Sequence, residues 1–172
     1  MKNRILTTLA AALLLTQACL LPGMAVATPT RHPLPAPPVL PTQPPFTLVA
    51  TASASLPDAP PGLAVDGKLE TAWNAGKEPE EWIQIDLGRL ATLSGIRLVV
   101  AQSPEGETVH QVWVGPDPVN LSLVHEFTGF TRDSDTLEFI PDVPLTDVKI
   151  VHVVTAASTS WVAWKEIQIT AQ

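Results

Sequence analysis

From Phe46 to the C-terminus, apolar and polar residues alternate in short runs, and no stretch holds a helical period. Eight such runs stand out, at 47–55, 82–87, 96–100, 111–114, 121–127, 136–140, 148–154 and 164–170. Each is rich in Val, Ile, Thr or Trp and bounded by Gly, Pro, Asp or Ser, as strands separated by turns require. In the second run Ile83, Ile85 and Leu87 share one face while Gln84 and Asp86 share the other, the pattern of a half-buried antiparallel strand. In the seventh run Val148, Ile150 and His152 oppose Lys149, Val151 and Val153, two fairly apolar faces that suit a central strand. The expected fold is all-β, an eight-stranded antiparallel sandwich of jelly-roll type, without internal repeats.

The 172 residues hold one domain of ordinary size with appendages. The first 27 residues have the pattern of an export leader: Lys2 and Arg4, an apolar stretch from Ile5 to Leu21, the break Pro22-Gly23, and the small-x-small sequence Ala25-Val26-Ala27. Three fates remain open for it. It is cleaved after Ala27, it is lipidated at Cys19 as in a bacterial lipoprotein, or it stays as a weak anchor. Every reading places the chain outside the cytoplasm, secreted or attached to the outside of a membrane. Cleavage after Ala27 leaves no cysteine, so stability must come from packing and, by one reading, a metal.

Residues 28–45 form a tether. Eight of the 18 prolines fall between Pro29 and Pro45, which fixes φ and removes backbone donors, giving an extended spacer ahead of the domain at 46–172.

Removal of the leader takes away Lys2 and Arg4 and leaves 8 basic against 17 acidic residues. A chain with this balance lacks the basic stripe that would displace counterions from nucleic acid or an anionic bilayer. Catalysis also finds little footing. The sequence has no G-x-S-x-G elbow, no H-E-x-x-H pair and no glycine-rich phosphate loop, and His32, His110, His125 and His152 lack metal-ligand spacing. No carboxylate pair stands out as a glycosidase acid and base.

The ordered series VDGKLETAW at 65–73, WIQIDLG at 82–88, VWVGPD at 112–117, VKIVHV at 148–153 and WVAWKEIQI at 161–169 resembles the coagulation factor type C, or discoidin, domain. That domain belongs to the galactose-binding-like sandwiches, which include family 32 carbohydrate-binding modules. The resemblance covers about residues 47–171 and implies a non-catalytic binding module with a structural calcium ion. By position, the family's ligands fall on the Asp66 carboxylate, the Thr71 hydroxyl and carbonyl, the Glu166 carboxylate, and the carbonyls of Leu63, Lys68 and Lys165.

The residues support a hard-cation site on their own terms. Asp66-Gly67 is a turn signal, Thr71 follows five residues later, and calcium accepts carboxylate, hydroxyl and carbonyl oxygens together. The two carboxylates lie 100 residues apart, so an ion between them would fasten an early loop to the last strand. The alternative makes Asp66 an ordinary turn residue and Glu166 a solvated one.

Among the five tryptophans, Trp73 and Trp82 are expected in the core, Trp164 in a structural place and Trp113 on the outward face of its strand. Trp161 precedes the last strand, where sugar-binding relatives place a stacking aromatic. In the loop at 101–107 those relatives carry an Arg and an Asn, and here neither occurs. Gln102 and Glu105 are the remaining groups there for sugar hydroxyls. The loop at 55–61 has no aromatic, which argues against direct phospholipid insertion. Two partner classes follow: a neutral or cationic glycan or cell-surface polymer held near Trp161, or an envelope protein recognised through an apolar patch around Trp113 and Val151.

Overall fold

In the computed structural model, which describes residues 45–172, the backbone forms eight strands and one short 3-10 turn. They are β1 (Val49–Ala52), β2 (Trp73–Asn74), β3 (Glu81–Val100), β4 (Gly106–Gly115), β5 (Ser122–Thr131), β6 (Thr136–Phe139), β7 (Leu145–Ala157) and β8 (Ala163–Ala171), with the 3-10 turn at Pro61–Val65. All pairings are antiparallel. The leader and all but the last residue of the tether lie outside the described residues.

The count of eight matches the expectation, but the strands are divided differently. The runs at 82–87 and 96–100 belong to one strand, β3, and a two-residue strand, β2, appears at Trp73–Asn74. Gly88 reads in the sequence as a strand end because glycine bounds the run before it, and in the structure its φ is +78°, a left-handed value that favours glycine. Instead it bends the strand: Asp86 Oδ1 accepts the Gly88 N–H at 2.7 Å, and the register shifts beyond Asp86. The first part of β3 pairs with β1 and β7, the second part with β6 and β8. One layer is therefore β1-β3-β7-β4-β5 and the other β6-β3-β8-β2, with β3 turning the corner between them.

Alternation decides what fills the space between the layers. Ile83, Ile85, Leu93, Leu98 and Val112 are fully buried there with Trp73 and Trp164. Trp82, expected in the core, is out of phase with Ile83 and Ile85 and lies half-buried on the outer face, its ring 5.0 Å from that of His152. β7 is central, between β3 and β4, as its two apolar faces suggest. Val151 pairs with Ile85 and faces the core, so it contributes nothing to an apolar patch with Trp113. Trp113 does point outward, half-buried, with Nε1–H donating to Gln111 Oε1 at 3.2 Å.

Trp164 is a core residue, and a β-bulge explains why it parts company with Glu166. Trp164 pairs with Val100 and Glu166 with Val99, so Lys165 is an extra residue in the β8 ladder. The bulge breaks the alternation. Trp164 and Ile167 both face the core, and Glu166 is carried to the opposite face.

Candidate functional site

That opposite face is where the loop at 66–71 lies. Glu166, only 4% exposed, accepts the Gly67 N–H through Oε2 at 3.2 Å. Gly67 has φ +79°, which lets the loop fold tightly over the carboxylate. Asp66 Oδ1 accepts the Lys68 N–H at 2.9 Å, and the Thr71 hydroxyl reaches Asp66 Oδ2 at 3.0 Å and the Lys68 carbonyl at 3.3 Å. The structure thus brings Asp66, Lys68, Thr71 and Glu166 together. Leu63 sits in the 3-10 turn that leads into the loop and packs on β1 and β8, its N–H bonded to Pro60 O at 3.0 Å. Lys165 is the bulged residue, whose backbone leaves the ladder, while its ammonium turns away to Asp133.

The electrostatics of this cluster suit a cation. Burial, and next the negative charge of Asp66, push the Glu166 carboxyl above the usual carboxylate range, against the backbone donors Gly67 and Lys68. Among the described residues, ion pairs join Lys77 to Glu81, Arg132 to Glu105, Lys149 to Asp86 and Lys165 to Asp133, and none of these includes a clasp carboxylate. Among the described residues no group of three or more His, Cys, Asp or Glu could hold an ion by itself. An ion here would need the hydroxyl and carbonyl oxygens too. That mixed oxygen set fits a hard cation such as calcium.

A second feature lies at one end of the sandwich, where β3, β5 and β7 finish and β4, β6 and β8 begin. Gln102, 4% exposed, ties two loops together there. Its Nε2 donates to Pro104 O at 3.0 Å and Thr159 Oγ1 at 3.2 Å, and its Oε1 accepts from the hydroxyls of Ser158 and Ser160, both at 3.1 Å. Gly106 permits this close approach, since a Cβ there would lie 2.2 Å from Thr159 Oγ1. The short strand β2 is fastened to the same end by Ala75 N–H to Val162 O and Val162 N–H to Lys77 O, both 2.9 Å.

Between these segments lies a pocket of about 460 Å³ whose walls include Asn74, Glu78, Ser103, Asp133, Thr159 and Trp161. Trp161 is 51% exposed, a large indole face left open to solvent. Of the residues expected to contact a ligand, only Trp161 is on the wall. Gln102 is spent on the loop scaffold behind it. Glu105 lies off the wall, held at the rim by Arg132 Nε at 3.1 Å. Asp133 was not foreseen. Its carboxylate takes the Lys165 ammonium at 2.6 Å, which holds the carboxyl below its usual range. Asn74 and Glu78 were also missed. Glu78 looks like any other charged loop residue, and Asn74 depends on a strand too short to show a period.

A model of the F5/8 type C domain matches residues 49–167. The chain belongs to this family. Solved structures of carbohydrate-binding modules, family 32 modules among them, share the fold of this F5/8 type C domain. A Clostridium perfringens NanJ module in complex with galactose is 16% identical, with a TM-score of 0.63 over 73% of this chain and 93% of that one. The AlyQ module in complex with 4,5-unsaturated mannuronic acid is 20% identical, with a TM-score of 0.60 over 74% and 98%. A mutant of chitosan-binding module 1 from a Paenibacillus sp. IK-5 chitosanase/glucanase is also 20% identical, with a TM-score of 0.60 over 72% and 94%. No match appears among curated proteins.

Proposed function

We propose that this F5/8 type C domain is an exported, non-catalytic, calcium-stabilised module that binds carbohydrate in the pocket beside Trp161. The observation that carries the reading is the exposed indole of Trp161 on the wall of a pocket flanked by amide, hydroxyl and carboxylate groups. A pyranose covers an aromatic ring with its C–H face while polar groups hold its hydroxyls, which is the chemistry these walls offer. The Ser160 hydroxyl donates to Gln102 and the Thr159 hydroxyl accepts from it, so both serve the scaffold, consistent with binding rather than catalysis. The leader at 1–27, cleaved after Ala27, lipidated at Cys19 or kept as an anchor, delivers the domain. A glycan or cell-surface polymer is the partner.

Trp161→Ala is expected to weaken glycan binding about tenfold or more while leaving the melting temperature within a degree or two, because the side chain is half exposed. A glycan array followed by calorimetric titration of the best ligand measures this. Silence across the array, or binding unaltered in the variant, would reject the reading in favour of a protein partner.

A further inference from the structure

The fold alone does not choose the ligand's charge, since the neighbours described above are named with neutral, acidic and basic sugars at similar identity. The pocket walls of this chain do choose. Among the described residues, no Lys or Arg side chain lines the pocket, whereas Glu78 and Asp133 do. Their states differ. Asp133 is neutralised by Lys165 at 2.6 Å, and the nearby Glu105 and Glu81 are answered by Arg132 and Lys77. Glu78 joins none of the four ion pairs and is exposed on the wall.

Its backbone position is well defined. Lys77 O accepts the Val162 N–H at 2.9 Å, so Glu78 and Trp161 are the chain neighbours of the two residues joined by this hydrogen bond. A carboxylate and a stacking ring are therefore set on adjacent segments of one pocket.

We propose that this pocket selects sugars bearing a protonated amine, and that Glu78 sets the selectivity. With the pyranose face against Trp161, the ammonium would meet the Glu78 carboxylate, a charge-assisted hydrogen bond stronger than any made by an N-acetyl group in its place. A uronate would bring a second negative charge to the same wall and be disfavoured. This inference rests on the glycan reading of the Trp161 pocket, and one set of titrations separates the two.

The full chain is titrated with glucosamine oligomers, N-acetylglucosamine oligomers and galacturonate oligomers of equal length, at low and high salt. The glucosamine oligomer is expected to bind about tenfold more tightly than its N-acetylated counterpart at low salt, and galacturonate most weakly. Glu78→Gln should bring the first two within about twofold without changing the melting temperature, since the side chain is exposed. Equal affinity for all three, or a preference unchanged in Glu78→Gln, overturns the charge selectivity and leaves glycan binding standing. Failure of every oligomer to bind overturns both. Polylysine bound as tightly as the glucosamine oligomer, and unaffected by Trp161→Ala, would show bare attraction to an acidic surface and overturn the amino-sugar assignment.

Discussion

Calcium added to the protein is expected to raise its melting temperature by roughly 10 °C at a hundredfold excess over the dissociation constant. A ligand confined to the folded state contributes about 2.7 kcal/mol at that excess, and a domain of this size gains a few degrees per kcal/mol. The rise should vanish in Glu166→Gln and in Asp66→Ala, because each removes one of the two carboxylates of the cluster, Glu166 held on the Gly67 N–H and Asp66 on the Thr71 hydroxyl. Glu166→Gln carries a further expectation of opposite sign. In the ion-free protein burial raises the Glu166 pKa, so its contribution to stability is full below the usual carboxylate range and is lost as pH rises through the raised value. Near neutral pH without calcium, the variant should therefore match or exceed the parent in stability. Scanning calorimetry with calcium and with chelator tests both. A melting temperature indifferent to calcium would remove the clasp from the account of this domain.

Acid sensitivity between pH 6.5 and about 4 is expected to come largely from His110. Burial lowers its pKa from 6.5 to about 4. Nδ1 is engaged with Thr155 Oγ1 at 3.0 Å, Nε2 has no protein partner, and the ring sits edge-on to Trp164 at 4.7 Å. The unfolded chain takes up a proton as pH falls below 6.5 and the folded chain does not until about pH 4. Stability is thus lost across that window, by about 3 kcal/mol for a shift of this size. His152, also lowered by burial, adds to the slope with the same sign. Denaturant unfolding at pH 7 and pH 4.5 should show the loss shrinking by most of that amount in His110→Gln. An unchanged difference would mean that the imidazole is solvated in the folded state.

Much of this fold was legible from alternation, because most strands bury one face and so write period two into the sequence, whereas β2, with two residues, is too short to do so. What failed were places where one residue resets the phase. Gly88 carries the local signature of a turn, and only pairing with β7 and β8 shows that the strand continues past it. Lys165 is an ordinary residue in a strand pattern, yet as a bulge it sends Trp164 inward and Glu166 outward. Trp82 was placed in the core by size and family position, although its neighbours Ile83 and Ile85 already held the inward phase.

The two candidate sites differed in the same way. Asp66 and Thr71 were legible as a turn signal and its spacing and Glu166 through the family resemblance, and the structure sets the Glu166 carboxylate against the loop that carries the other two. The pocket is assembled from four segments distant in sequence. Gln102 looked like a ligand contact because it is polar and in the right loop, but a buried amide with four partners is already satisfied.

The long strand β3 bears on how this domain comes apart. Its 20 residues run unbroken through both layers, pairing with β1 and β7 at one end and with β6 and β8 at the other. Neither layer can be peeled away while the other keeps its shared edge intact, so partial unfolding leaves a strand with half its ladder missing and half the core exposed. The domain should melt in a single cooperative step, with the near-ultraviolet signal of buried Trp73 and Trp164 falling together with the far-ultraviolet signal of the sheets. Separated midpoints would show that the corner at Gly88 works as a hinge between two independent units.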